Sequence, residues 1–101
     1  MRIIFSELAS RDLDNISLYI ADELRNQIAA RSTINKILQS IYVLRNFPDL
    51  GQRIDAKNEF IQNYRFLVIK NYLIIYKMAD EGVLIVRVVY AKSDYNQLLK
   101  A

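Results

Sequence analysis

Three apolar, β-rich runs separated by very short turns are the feature that most constrains this fold. The runs cover residues 64–69, 72–78 and 83–90. Lys70-Asn71 between the first two is typical of a two-residue hairpin turn in which Asn adopts the left-handed conformation. Asp80-Glu81-Gly82 is typical of a three-residue turn with Gly at the left-handed position. Consecutive strands joined this tightly predict an antiparallel meander.

The residues before the meander predict one strand and a helix. Residues 2–5 are short and apolar, which suits an edge strand. Ser6 is a good N-cap for the following helix, with Glu7 at the positive end of the helix dipole. The apolar stripe of this helix recurs every three or four residues and comprises Ala9, Leu13, Ile16, Ile20 and Leu24.

A second helix follows a polar break at residues 25–27, and Pro48 ends it. A connection this short between two long helices predicts an antiparallel helical hairpin. Gly51 follows Pro48 as an ordinary turn residue. The apolar stripe of the second helix comprises Ala30, Ile34, Ile37, Leu38, Ile41 and Leu44.

Residues 52–62 lack periodicity and predict a loop, whereas Ser93-Asp94 predict the cap of a short C-terminal helix. The whole chain, residues 1–101, is therefore expected to form one α+β domain. Its element order is βααβββ, with the two-helix hairpin packed on an antiparallel sheet.

The apolar content is high for so small a chain, at 52% of 101 residues. All three meander strands are nearly continuous in apolar character, and one helical hairpin covers only one face of a sheet. We therefore expect surplus apolar surface on the sheet that a partner chain covers.

The chain contains no Cys and no His, which excludes disulfides, thiolate sites and imidazole chemistry. We expect neither a metal nor a cofactor. No stretch approaches the length of a membrane span, and the N-terminus does not resemble a secretory signal. A cytoplasmic protein without membrane contacts is expected.

Charge is unevenly distributed along the helical hairpin. Residues 1–23 hold two cations against five acids, a net charge of −3, whereas residues 24–47 hold four cations and no acid. This pattern indicates two helices of complementary charge, with a polyanion-binding surface as the alternative. Arg65 and Arg87 interrupt apolar strands, and a buried Arg must be paired. The candidate partners on the first helix are Asp12, Asp14, Asp22 and Glu23.

The order and spacing of several segments resemble the RelE/ParE superfamily of type II toxins, over nearly the whole chain. The resemblance implies the toxin of a toxin–antitoxin, or plasmid stabilisation, module. The segments that carry it are Ala9 with Asp12-Leu13-Asp14-Asn15-Ile16 and Tyr19-Ile20, Leu44-Arg45-Asn46-Phe47-Pro48-Asp49-Leu50-Gly51, Tyr64-Arg65-Phe66-Leu67-Val68 with Asn71-Tyr72-Leu73-Ile74-Ile75-Tyr76-Lys77, and residues 82–90 followed by Ala91-Lys92-Ser93-Asp94-Tyr95.

The two branches of this superfamily differ in chemistry. RelE-like members are ribosome-dependent endoribonucleases that use clustered basic residues and a terminal Tyr or His. If this chain were RelE-like, Arg65, Lys92 and Tyr95 would be its catalytic residues. Leu67 and Leu73 stand where that branch carries basic residues.

ParE-like members bind and inhibit DNA gyrase, and the strand pattern here is closer to that branch. The resemblance thus favours growth inhibition by binding, with messenger RNA cleavage as the alternative and a non-toxic, degenerate binding module as a third possibility. The residues expected to bind the target or the antitoxin are Arg65, Arg87, Tyr90, Lys92 and Tyr95.

The partner implied by the resemblance is a cognate antitoxin that is acidic and partly disordered. It would wrap the toxin and add a helix or a strand to its exposed apolar surface. The antitoxin, not this chain, would carry the DNA-binding module that contacts operator DNA.

Overall fold

A computed structural model describes residues 1–54 and 63–92 and confirms the predicted α+β fold. Two helices pack on one five-stranded sheet. The predicted C-terminal helix lies outside the described residues, as does most of the predicted loop at 52–62. The elements are β1 (Arg2–Phe5), α1 (Glu7–Leu18), a π-helical turn (Tyr19–Glu23), α2 (Gln27–Val43), β2 (Gln52–Arg53), β3 (Tyr64–Ile69), β4 (Tyr72–Ala79) and β5 (Gly82–Tyr90).

The sheet is mixed, with the strand order β1-β5-β4-β3-β2. The predicted antiparallel meander β3-β4-β5 forms its centre. β1 is an edge strand as expected, but it runs parallel to β5 rather than antiparallel. Because both helices and the strands β2, β3 and β4 lie between β1 and β5 in the chain, no hairpin turn joins these two strands and forces them to be antiparallel. The two-residue strand β2 pairs with β3 where a loop was predicted.

Both hairpin turns of the meander contain two residues. In the first, Ile69 pairs with Tyr72, and the left-handed residue is Lys70, with a φ of 54°, rather than the predicted Asn71. In the second, Ala79 pairs with Gly82, so the predicted three-residue turn is wrong and Gly82 already belongs to β5. The pairing of β4 with β5 reaches Ala79, which is one residue beyond the predicted end of that strand at residue 78.

The helical hairpin begins at the predicted cap. The Ser6 hydroxyl oxygen accepts a hydrogen bond from the Ala9 N–H at 2.9 Å. α1 ends at Leu18 and continues as one π-helical turn. The chain then reverses within the predicted polar break, where Arg25 has a φ of 51° and the Asn26 side chain caps α2 by accepting from the Ala29 N–H at 2.9 Å. In the described residues, no helix has the length and apolarity needed to cross a membrane.

The main core lies between the hairpin and one face of the sheet. Residues from both predicted helical stripes meet inward-facing residues of β4 and β5, because each stripe places its apolar side chains on one side of its helix. The fully buried or nearly fully buried members are Ala9, Ile37, Ile41, Leu44, Ile74, Tyr76, Val83, Ile85 and Val88.

The opposite face of the sheet is buried at its centre, although the prediction leaves it bare for a partner, whereas Val68 on that face is 55% exposed. Leu73, Ile75 and Val89 are at most 8% exposed, and Ile54 joins them in a second cluster. The surplus apolar surface lies instead mostly along the helical hairpin and the segment that leaves it. Exposed large apolar side chains there include Leu8, Leu18, Tyr19, Leu24, Ile28, Tyr42, Val43, Phe47 and Leu50.

Replacing Gly82 with Ala should destabilise the fold by about 3 kcal/mol, because the new Cβ would collide with a neighbouring backbone and occupy a region open only to Gly. Gly82 has a φ of 149°, and a Cβ there would contact the Arg2 carbonyl oxygen and lie 2.9 Å from the Arg2 carbonyl carbon. Urea unfolding measures the loss. The matched control, Glu81→Ala at an exposed position of the same turn, should change stability by less than about 0.5 kcal/mol.

Candidate functional site

Arg87 forms the predicted ion pair with α1, and its partner is Asp12. The guanidinium donates from Nε to Asp12 Oδ2 at 2.7 Å and from Nη2 to Oδ1 at 2.9 Å. The two side chains are only 16% and 12% exposed. The hydrogen bonds to Asp12 raise the pKa of Arg87, so its charge is fixed. The structure thus places Arg87 inside an intramolecular pair rather than on an open surface.

The same carboxylate completes the edge of β5. β1 pairs with β5 only as far as Ile85, so the edge beyond that residue needs other partners. Ser6 donates from its N–H to the Ile85 carbonyl at 3.0 Å and from its hydroxyl to the Val86 carbonyl at 2.8 Å. Asp12 Oδ2 accepts from the Val88 N–H at 2.9 Å. The start of α1 therefore replaces a strand along this edge.

Arg65 bonds to the segment that leaves α2, not to an acidic residue of α1 as predicted. Its Nη1 donates to the Gly51 carbonyl at 2.8 Å and to the Asp49 carbonyl at 3.3 Å, and its Nη2 lies 3.5 Å from the Asp49 carboxylate. The Arg65 side chain is 20% exposed. Its position at the start of β3 brings it beside this segment because β2 follows Gly51 directly and pairs with β3.

The Tyr76 hydroxyl holds the same segment from inside the core. It donates to the Pro48 carbonyl and accepts from the Gly51 N–H, both at 2.8 Å. Burial raises the pKa of Tyr76, so the hydroxyl keeps the proton that it donates. A Cβ on Gly51 would lie 2.6 Å from this hydroxyl and 2.8 Å from the Phe66 carbonyl. Gly51 is thus required for close packing, a role that its assignment as a turn residue missed.

Tyr90 and Lys92 lie at the other end of the meander. The Tyr90 ring packs edge to face against Tyr72, with centroids 6.1 Å apart and planes at 68°. Tyr90 is 46% exposed, and Lys92 is exposed in the turn after β5. Burial raises the pKa of Tyr72, and the neighbouring Tyr19 and Tyr90 add to the shift. These three tyrosines form a cluster where α1 meets the end of the sheet.

The predicted site residues are not gathered at one place. Arg65 pairs across the sheet with Tyr76, whereas Tyr90 pairs with Tyr72, four residues away on the same strand. The two are therefore about 13 Å apart along the strand direction. Tyr95 lies outside the described residues. Within residues 1–54 and 63–92, no acidic side chains cluster in a way that could hold a metal ion.

Attack of a 2′-hydroxyl on phosphorus needs a proton acceptor, a proton donor and cations around one phosphate. The described residues do not converge in this way, because Arg65 and Arg87 are engaged by separate intramolecular partners. Tyr90 and Lys92 have no such partner among the described contacts and are exposed at the end of β5.

A family model for the ParE toxin of the type II toxin–antitoxin system parDE matches residues 3–95. The chain belongs to the ParE toxin family. The Arg87–Asp12 pair, the Tyr76 bonds and the Tyr72–Tyr90 contact all lie within the matched segment of this ParE-family toxin. A search of curated proteins finds no match.

Solved structures share the fold of this ParE-family toxin. A chain of the chromosomal ParDE system from P. aeruginosa superposes with a TM-score of 0.76 at 16% identity, covering 91% of this chain and 97% of that one. A chain of the RelB-RelE complex from Methanococcus jannaschii gives 0.54 at 21% identity, with 93% and 96% covered. One from the E. coli DinJ-YafQ complex gives 0.52 at 18% identity, with 88% and 91% covered.

Asp12→Asn should destabilise the toxin by about 3 kcal/mol, because it leaves the largely buried Arg87 charge without its anion. The change keeps the shape of the side chain, so the stability that is lost measures the contribution of the negative charge. Thermal or urea unfolding measures it. Asp14→Asn, at an exposed position of the same helix, is the matched control and should have little effect. Equal stability of the two variants would contradict a structural role for the pair.

Tyr76→Phe should cost about 1–3 kcal/mol, because it leaves the Gly51 N–H and the Pro48 carbonyl without their common partner. Hydrogen exchange of the Gly51 amide should accelerate by more than the global destabilisation explains. Tyr42→Phe, which removes a hydroxyl from a ring that is 43% exposed, is the control and should leave this amide unchanged. Unaltered Gly51 exchange in Tyr76→Phe would refute the role assigned to the hydroxyl.

Proposed function

We propose that this chain arrests growth by binding DNA gyrase and does not cleave RNA. The observation that carries the proposal is the engagement of both strand arginines within the chain. Arg87 is held by Asp12, and Arg65 is held by the Asp49–Gly51 backbone. Two cations committed in this way are poorly available to a phosphate, because releasing Arg87 would leave the largely buried Asp12 unpaired and releasing Arg65 would leave the partly buried Gly51 carbonyl without its donor.

The proposed contact surface for the target is the tyrosine cluster with Lys92. Tyr90 and Tyr19 are about half exposed, and the Tyr90 ring packs edge to face against Tyr72. Half-exposed tyrosines on a packed support are good interface anchors, because little side-chain entropy remains to be lost on binding. Lys92, in the turn that follows, adds a positive charge. We assign Tyr95 to the same surface on its proximity in sequence alone.

The regulatory partner in this proposal is a cognate antitoxin that neutralises the toxin and carries the contacts to operator DNA. Two observations support it. The family belongs to a type II toxin–antitoxin system, and two structures that share the fold, RelB-RelE and DinJ-YafQ, are toxin–antitoxin complexes. A cytoplasmic location and a role in plasmid stabilisation belong to the same proposal.

Purified protein should inhibit supercoiling by DNA gyrase, and strong expression should arrest growth without new cuts in translated messages. A supercoiling assay and primer extension on the same strain measure the two outcomes. Cuts in translated messages with normal supercoiling would establish the ribonuclease alternative. Normal growth under strong expression would contradict both toxin alternatives and support a non-toxic binding module.

Tyr90→Ala with Lys92→Ala should raise the concentration for half-inhibition of gyrase at least about tenfold, because the pair removes an anchor and a charge from the contact surface. Lys36→Ala on the exposed side of α2 is the control for loss of charge and should retain inhibition. Thermal unfolding establishes that both proteins are folded. Full inhibition of gyrase by the double variant would show that Tyr90 and Lys92 do not form the contact surface for the target.

A further inference from the structure

The side of α2 that points away from the core is polar and positively charged. Its sequence, residues 27–43, contains two cations and no Asp or Glu. Six exposed side chains along it border one shallow depression, and each of the six can donate a hydrogen bond. We call these residues the polar face of α2; they are Gln27, Arg31, Ser32, Asn35, Lys36 and Gln39.

The two cations of the polar face differ from the two strand arginines, because no carboxylate neutralises them within the described part of the chain. Arg65 and Arg87 each lie within salt-bridge distance of an acidic side chain, whereas Arg31 and Lys36 form no salt bridge with any residue of 1–54 or 63–92. Asp22 borders the neighbouring groove together with Arg31, but the two do not form an ion pair. The positive charge of the polar face is therefore open to an anion outside the chain.

The side chains of the polar face have a definite order around the helix axis. Ser32, Asn35 and Gln39 recur at spacings of three and four residues, so they form a central row along the helix. At 100° per residue, Arg31 lies about 70° to one side of this row and Lys36 about 70° to the other. Uncharged donors and acceptors thus run along the middle, with one cation on each flank.

This order matches the major groove of duplex DNA. That groove is about 12 Å wide and admits an α-helix, and it has base edges on its floor and a phosphate backbone along each wall. Cations on both flanks of a helix would meet the two backbones, and amide and hydroxyl groups between them would face the bases. An amphipathic protein helix fits this surface less well, because Ile28 is the one large apolar side chain among the described residues that border the depression.

We propose that the polar face of α2 binds duplex DNA in the major groove. Arg31 and Lys36 contact phosphates of opposite strands, and the central row faces the base edges. The site is separate from the tyrosine cluster assigned to the target and from the operator contacts assigned to the antitoxin. The inference therefore goes beyond the proposed function and holds whether or not gyrase is the target.

The test uses the full chain and a fluorescein-labelled, mixed-sequence DNA duplex, and binding is measured by anisotropy as a function of salt. Binding should weaken as salt rises, because the cations displace counterions from the phosphates. Arg31→Gln with Lys36→Gln should weaken binding at least about tenfold at about 50 mM salt and lower the slope of log affinity against log salt by about 1.8.

The matched control removes two exposed cations from the edge strands of the sheet. Arg2→Gln with Arg53→Gln changes the net charge by the same amount. It should leave the affinity within about twofold of the wild-type value, because salt screens charges that do not touch the DNA. Thermal unfolding should be nearly unchanged in all variants, because each altered side chain is exposed.

Two further measurements separate a helix in the groove from general attraction between opposite charges. Asn35→Ala with Gln39→Ala should weaken binding at least about threefold without changing the salt slope, because neither substitution removes a charge. An RNA duplex of the corresponding sequence should bind at least about tenfold less tightly than the DNA, because its major groove is too narrow for a helix.

Four results would overturn the inference. They are absence of binding to the DNA duplex, equal weakening by the two charge variants, unchanged affinity in Asn35→Ala with Gln39→Ala, and equal affinity for the RNA duplex. Lys36→Ala keeps the two proposals distinguishable, since it should retain gyrase inhibition and lose affinity for DNA. A failure of the wild-type chain to inhibit gyrase would contradict the proposed function and leave the DNA-binding results standing.

Discussion

The arrangement of this domain depends on one carboxylate. Asp12 accepts two hydrogen bonds from Arg87 and one from the Val88 backbone, all between 2.7 and 2.9 Å. β1 contributes only four residues, so the second half of β5 would otherwise present an open edge. Asp12 closes that edge from a helix and thereby fixes where α1 lies over the sheet. Since α2 packs beside α1, the position of the whole hairpin follows from this contact.

A second constraint operates at the opposite end of the hairpin, where α2 returns to the sheet. Tyr76 and Arg65 bind the backbone of residues 48–51 from two neighbouring strands. The two strand arginines therefore act alike in one respect, since Arg87 binds a side chain of α1 and Arg65 binds the segment after α2, so that each one ties part of the hairpin to the sheet. The ribonuclease branch of the superfamily is expected to expose its cations to phosphate, whereas these two are turned to the chain itself. This use of charge is the observation on which we base the proposal that the toxin acts by binding.

The sequence predicted the elements well because their periodicities are local. The apolar stripes of both helices, the Ser6 cap, the meander and the need of Arg87 for an anion on α1 all followed from residue spacing. The direction of β1 did not, because its partner β5 lies about 80 residues later in the chain and the pairing is set by tertiary packing. The partner of Arg65 was missed because it is mostly backbone, which has no sequence signature. The apolar excess was assigned to the sheet, but most of the exposed large apolar side chains lie on the helical hairpin and its exit, and fewer, such as Val68, lie on the strands. Tyr90 and Lys92 were singled out by resemblance, and their use as a contact surface remains a prediction.

The bonds around residues 48–51 carry a consequence for biosynthesis. The Tyr76 hydroxyl that fixes this segment is encoded 25 residues after Gly51. A nascent chain that has exposed α2 but not yet β4 at the ribosome lacks this support. The hydrogen bonds from Tyr76 to this segment therefore form only once β4 has joined the sheet. Any ligand that requires the ordered shape of this segment would distinguish a finished, folded molecule from one still being translated.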